Sequence, residues 1–272
     1  MKELYKIYRY CMRSRNLQFK VNSYAKKSKI NFPVHFAFGH EFVSSLVKLF
    51  IEKNDKLILS HRNIHFVSLF SKNPEIYYKN LFINKKKNNL GSMNYHEKNN
   101  QIAYTSSVLG NNFSVACGIS FFAKKKSVVI CIAGDGAIEE GSFYETLSLA
   151  KYLNLPLVFL IENNNWSMYT KINERRCNIN LKKVCESMQI KFLKLQLKNF
   201  QKSIKNYKKM INYCRTNSSP IVLELPVKTY GDFKKKKYVN YHHGVLSNNV
   251  KIYNKIYFEK NDLLFRIKKK IR

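Results

Sequence analysis

A chain of 272 residues is long enough for one large α/β domain whose core needs no disulfide or structural metal. Forty-nine Lys and Arg against 17 Asp and Glu give a formal charge of +32, which suggests a polyanion partner, yet 45% hydrophobic and 14% aromatic residues exclude a disordered basic tail. No apolar run reaches the ~18 residues of a membrane helix, and six scattered cysteines without a Cys-x-x-Cys pair read as buried thiols of a reducing compartment. No continuous apolar signal region follows Met1, so the cytoplasm is the expected location, with an organelle matrix left open by the overall basicity.

Residues 1–31 are basic and mixed, without clear periodicity, and are expected to form an N-terminal arm with one helix. From Glu41 the apolar positions Phe42, Leu46, Leu49 and Phe50 recur at helical spacing and predict an amphipathic helix. A short apolar stretch at 57–59 and a helix ending before Pro74 follow, then a polar loop at 84–100, and residues 113–123 read as a small-residue helix. The run 127–133 is continuous and β-branched, as in strands buried on both faces of a parallel sheet, and it ends in Gly134-Asp135-Gly136. A helix follows with Phe143, Leu147, Ala150 and Leu153 on its inner face, then an apolar strand at 157–161, giving a right-handed βαβ unit. Further strands at 191–197 and 221–225 flank a helical pattern of Phe200, Ile204, Tyr207, Met210, Ile211 and Cys214. The expected architecture is α/β, a doubly wound, mostly parallel sheet with helices on both faces. It would comprise the arm, one α/β domain over 32–248 and a C-terminal helix over 249–272.

Ligands of open parallel sheets sit outside the carboxyl ends of the strands. Here one strand ends in Gly134-Asp135-Gly136 and the next in Glu162-Asn163-Asn164-Asn165, so one crossover brings Asp135 and Asn164 side by side. A carboxylate and an amide carbonyl are hard oxygen ligands suited to Mg²⁺ that also borrows phosphate oxygens. Glycines on either side of Asp135 permit close backbone approach to a phosphate, and a helix starting near Ala137 would aim free N–H groups at it. Gly-Asp-Gly alone reads as a tight turn; the joint pattern describes a diphosphate–Mg²⁺ site.

The same residues resemble a known family. Gly134-Asp135-Gly136-Ala137, Glu140-Gly141, Phe143, Glu145, Leu155-Pro156 and Glu162-Asn163-Asn164 look like the thiamine-diphosphate motif of the alpha subunits of 2-oxo acid dehydrogenases, the pyruvate and acetoin dehydrogenase family. Upstream, His35 to Glu41 is similar to that family's His-x-x-x-Gly-Gln-Glu, with His40 in place of Gln; Ser60 to His65 resembles Tyr-Arg-x-His, and Gly91-Ser92-Met93 resembles Gly-Ser-Met-His, with Asn94 at the His position. The matches run in order from about residue 33 to 170, which makes the pattern specific where each motif alone is weak. The resemblance implies a thiamine-diphosphate-binding fold. It assigns Mg²⁺ to Asp135, Asn164 and the Trp166 carbonyl, the cofactor diphosphate to Arg62, Gly134, Gly136 and Ala137, and the aminopyrimidine ring to the backbone of Ser107 and Leu109. His35, His65 and His242 are the candidate catalytic histidines, His242 being preferred over His243 against the competing reading of a solvated loop. His40 and His96 read equally well as capped or solvated residues, Glu139 and Glu140 as helix-start carboxylates, and Trp166 as either core or cofactor shell.

The implied chemistry is decarboxylation of a small 2-oxo acid and transfer of the acyl group to a lipoyl-bearing acyltransferase. The implied partner is a beta subunit that supplies the activating Glu in an α₂β₂ assembly. The family's Tyr-Arg-x-x-Gly-His-Ser loop is replaced by Thr229-Tyr230-Gly231-Asp232, without Arg or His. Two alternatives stand beside this reading: a transketolase-like or carbon-ligating thiamine-diphosphate subunit of sugar or polysaccharide synthesis, and a non-catalytic basic nucleic-acid-binding protein on the same fold. Lysine runs at 85–87, 124–126 and 234–237 favour the last, but no helix-turn-helix, zinc or RNA-recognition signature accompanies them. The acidic residues Asp135, Glu139, Glu140, Glu145 and Glu162 gather at the proposed site against Lys151 alone.

Overall fold

The computed structural model describes residues 1–27, 35–83, 93–95, 97–99, 101–167, 170–230 and 262–271, together with the backbone of 233–234 and 237–238. In chain order the elements are α1 (Lys2–Lys27), α2 (Glu41–Phe50), β1 (Lys56–Leu59), α3 (Ile64–Phe70), α4 (Pro74–Phe82), β2 (Ile102–Thr105), α5 (Asn111–Phe121), β3 (Val129–Gly134), α6 (Gly141–Tyr152), β4 (Leu157–Asn163) and the short β5 (Trp166–Ser167) and β6 (Thr170–Lys171). They continue as α7 (Ile172–Arg175), α8 (Leu181–Ser187), β7 (Lys191–Lys194), α9 (Phe200–Asn217), β8 (Ile221–Pro226), β9 (Phe233–Lys234), β10 (Lys237–Tyr238) and α10 (Leu263–Ile271). The contacts group into two units, one of Met1–Leu49, His61–Glu97 and Lys228–Arg272, the other of Phe50–Ser60 and Lys98–Val227.

The second unit contains the sheet. Its six strands run β2-β1-β3-β4-β8-β7, and every neighbouring pair is parallel. The period of two is plain in the burial: Val129, Cys131, Ala133, Leu157, Phe159 and Ile161 face one core, shared with Phe113 and Ala116 of α5, Phe143 and Leu147 of α6 and Leu181 and Cys185 of α8. The alternate residues Ile130, Ile132, Val158 and Leu160 are equally buried, so the central strands are covered on both faces as their unbroken apolar runs predict. α9 starts on an Asn199 cap whose side chain accepts the Lys202 N–H at 3.0 Å. Arg215 near its end grips Asp55 through two hydrogen bonds of 2.7 and 2.9 Å, tying the helix to the entrance of β1.

Three expectations shift. α6 stops at Tyr152, and Asn154 turns the chain at φ 50°, so Leu153 is 37% exposed and Leu155 takes the buried position expected of it. The helix that begins at Ala137 is one 3₁₀ turn, Ala137–Glu139, and the α-helix starts only after it, with Glu140 as the N-cap of α6, so the donors near Asp135 belong to the 3₁₀ turn. β2 is an additional edge strand whose one-sided burial leaves no apolar run in the sequence.

The first unit is helical around α1. Leu4, Ile7, Cys11, Ser14, Arg15, Gln18, Val21, Asn22 and Ala25 are all buried, a continuous helical stripe in a segment expected to lack periodicity. Four of these nine positions, Ser14, Arg15, Gln18 and Asn22, are polar, which hides the stripe from a hydropathy count. Arg15 donates to both oxygens of Glu41 and, through Nη1 at 3.0 Å, to Asp262, so α1, α2 and the start of α10 share one enclosed ion cluster. Gln18 and the Gly39 N–H also donate to Glu41, at 3.2 and 2.8 Å. Gly39 sits at φ 93°, and a Cβ there would run into the Lys228 carbonyl, so glycine is demanded at this turn. Among the described residues no helix is long and apolar enough to cross a membrane.

Candidate functional site

Gly134 at the end of β3 stands opposite Glu162 of β4, which brings the two strand ends together in register. The backbone N–H of Asn164 donates to Asp135 Oδ1 at 3.3 Å, so the pair predicted from spacing alone is adjacent. The three successive asparagines do different work. Asn163 turns to β8, donating to Glu224 at 2.7 Å; Asn164 Oδ1 accepts the Trp166 N–H at 3.0 Å; Asn165 takes the left-handed conformation, φ 65°, that reverses the chain. Above Gly134 an added Cβ would meet nothing within 4 Å, whereas at Gly136 it would strike Ser167 Oγ. Gly136 is therefore needed for the close passage of β5, and the room beside the strand end lies over Gly134.

Asp135 is 1% exposed. Burial lifts its carboxyl above the ordinary range, and the neighbouring Arg175 guanidinium and Asn164 N–H pull the other way. Arg175 Nη2 lies 2.5 Å from Asp135 Oδ2, its Nε donates to Glu139 at 2.8 Å, and its Nη1 donates to the Thr170 carbonyl at 3.1 Å. Arg176 Nε approaches the same Glu139 oxygen at 2.8 Å. Glu139, in the 3₁₀ turn just before the N-cap of α6, is thus also the anchor of two arginines. The sequence reading missed Arg175; its one signal was the surplus of carboxylates between 134 and 162, which calls for a counter-cation from outside that segment. A buried carboxylate and an amide carbonyl are hard oxygen donors of the kind a small divalent cation takes, and the guanidinium against the acid competes for the same carboxylate.

The segment Ser106 to Gly110 follows the carboxyl end of β2. Ser106 N–H donates to the Leu59 carbonyl at 3.1 Å, and Ser142 at the start of α6 donates to the Gly110 carbonyl at 3.1 Å. Ser107, Val108 and Leu109 are exposed on this segment, the last two at 65% and 39%. Trp166 is partly buried, with Lys171 Nζ 5.4 Å from its ring centroid.

In the helical unit the three upstream motifs meet. The His35 and His61 rings are 4.4 Å apart edge to face, Arg62 Nη1 donates to the Phe36 carbonyl, and His35 N–H points at Met93 Sδ, 3.1 Å away. Asn63 donates to the Met93 carbonyl at 3.0 Å. His65 is fully buried with the His40 ring 5.8 Å away, and His40 Nε2 is 2.8 Å from Thr229 Oγ1, so His40 is a bonded interior residue. Gly91, Ser92, His96, His242 and His243 lie outside the described residues.

The parallel sheet with this site at its carboxyl edge is the thiamine-diphosphate-binding type of α/β fold. The chain overlays transketolase from Pichia stipitis with a TM-score of 0.61 at 17% identity, covering 81% of this chain and 36% of that one. Residues 8–231 match the family described as dehydrogenase E1 component, and the chain belongs to that family. It is 30% identical over 202 residues to the pyruvate dehydrogenase E1 component subunit alpha of Rickettsia typhi, covering 72% of this chain and 61% of that protein. It is also 30% identical over 172 residues to the alpha subunit of acetoin:2,6-dichlorophenolindophenol oxidoreductase of Bacillus subtilis, covering 60% of this chain and 51% of that protein. The chain therefore spans about three-fifths of these relatives' length or less.

Proposed function

We propose that the protein is the alpha subunit of a thiamine-diphosphate- and Mg²⁺-dependent 2-oxo acid dehydrogenase-like enzyme. The observation that carries this reading is the enclosed Asp135 beside Asn164 at the carboxyl ends of two adjacent parallel strands, in a chain of the E1 family. Asp135 and Asn164 would hold the cation through side-chain oxygens and Trp166 through its carbonyl. Gly134 leaves room for the diphosphate, and Gly136 with the 3₁₀ turn that it caps, starting at Ala137, would offer backbone donors beside it. Ser107 and Leu109, on an exposed segment, would present backbone groups to the aminopyrimidine. From the helical unit, Arg62 is assigned to the diphosphate and His35 and His65 to the substrate on their motifs, as is His242. Of these, His65 is fully enclosed, which suits holding a neighbour in place better than exchanging a proton with substrate. The bound cofactor supplies an electron sink for the carbanion left when a 2-oxo acid loses CO₂.

The acyl group would pass to a lipoyl-bearing acyltransferase, and a beta subunit would supply the activating Glu in an α₂β₂ assembly. Decarboxylation of a panel of 2-oxo acids, with and without lipoyl acceptor and with the chain alone or co-expressed with its beta partner, tests the reading. Activity confined to the co-expressed pair is expected. Full activity of the chain alone contradicts the shared site, and transfer of a two-carbon ketol unit between sugars, without acyl transfer, replaces the dehydrogenase with a transketolase-like enzyme.

A further inference from the structure

Both oxygens of Asp135 are engaged, Oδ1 by the Asn164 N–H and Oδ2 by Arg175 Nη2 at 2.5 Å. A divalent cation that takes Asp135 must therefore displace, or share the carboxylate with, an arginine. Arg175 stays tethered when it moves: its Nε holds Glu139 at 2.8 Å and serves as the pivot, while the longer Nη1 bond to the Thr170 carbonyl, 3.1 Å, gives way, and α7 keeps its own cap through the Lys171 N–H, which donates to Glu174 at 2.6 Å. The displaced Nη2 edge consequently remains beside the strand ends. Between 134 and 167 the only Lys or Arg is Lys151, so the guanidinium against Asp135 comes from outside the two strand-end segments. A diphosphate carries more negative charge than one divalent cation neutralises, and a planar guanidinium is well matched to its oxygens.

We propose that Arg175 is a cofactor-binding residue that exchanges partners: it competes with the divalent cation for Asp135 and, once displaced, turns its freed edge to the diphosphate. This rests on the metal–diphosphate reading of the site and adds a consequence that reading does not require. Removing the guanidinium should act in opposite directions on the two ligands, whereas a merely structural Arg175 would weaken both.

The test uses the full chain with Mn²⁺ as the cation probe, followed by paramagnetic resonance of the free ion and by quenching of Trp166, the single tryptophan. Inorganic diphosphate is the second probe, titrated at saturating Mn²⁺. Arg175→Gln should bind Mn²⁺ alone about tenfold more tightly and diphosphate about tenfold more weakly, the scale of one charge-assisted hydrogen bond. Arg175→Lys, which keeps the charge without the fork, should restore competition with Mn²⁺ and only part of the diphosphate affinity. Thermal unfolding of both variants controls for folding. Unchanged or weaker Mn²⁺ binding in Arg175→Gln, or unchanged diphosphate binding, overturns the exchange while leaving the cation site in place. Failure of wild type and variant alike to bind Mn²⁺ overturns the site and the exchange together.

Discussion

Asp135 shows how much one enclosed carboxylate organises. Its neighbours are drawn from three places, the Asn164 backbone, Arg175 of α7 and, through Arg175, Glu139, so its substitution reaches beyond the lost ligand. Packing holds position 136 to glycine: Gly136→Ala should push Ser167 and β5 away and lower Mn²⁺ affinity without unfolding the sheet, a separation that Mn²⁺ titration alongside far-ultraviolet circular dichroism resolves. The cysteines give a second residue-scale expectation. Cys11, Cys131 and Cys214 are buried with thiols pushed far up by desolvation, Cys185 is pushed up to about 12, and Cys177 is exposed. Since only the thiolate reacts, maleimide at pH 8 should label Cys177 first in the folded protein, and mass spectrometry should find the other five labelled only after denaturation. Early labelling of Cys131 would contradict the packing of β3.

At the scale of elements, the βαβ unit around Asp135 was legible because its strands are continuous apolar runs and its turn residues are chemically unusual. The juxtaposition of Asp135 and Asn164 followed from topology alone. What stayed hidden has a common physical cause, polar residues used as interior parts. The buried stripe of α1 contains Ser14, Arg15, Gln18 and Asn22, and the counter-charge to Asp135 comes from a four-residue helix with no apolar pattern. β2 has only one covered face, and its sequence reads as loop. The Arg15–Glu41–Asp262 cluster predicts that Arg15→Ala costs about 3–5 kcal/mol, the penalty for stranding enclosed charges, measurable by urea unfolding. In the sheet unit Phe159 contacts the rings of Phe113 and Phe143 at 6.0 and 5.8 Å, and Phe159→Ala should cost about 3–5 kcal/mol by leaving a cavity. A loss under 1 kcal/mol at either position would mean that the surroundings refill the space or water reaches the charges.

Over the whole molecule, the charge of +32 is a weaker guide than the arrangement of a few acids. Lysine runs are spread along the chain, while the strand ends hold Asp135, Glu139 and Glu162. Any binding of DNA should be sequence-independent and fall steeply with salt, as counterion release requires; retention of one sequence at high salt would revive the nucleic-acid reading. The chain belongs to the E1 family over most of its length, and the strand ends of its sheet unit carry the residues Asp135 and Asn164 on which the proposed diphosphate–metal site rests. The most direct test of that pattern is calorimetric titration of the alpha chain, co-purified with its beta subunit, with thiamine diphosphate in the presence of Mg²⁺, for wild type and Asp135→Ala. The account predicts saturable, Mg²⁺-dependent binding that Asp135→Ala abolishes while the complex stays folded; equal binding by the two proteins would contradict it.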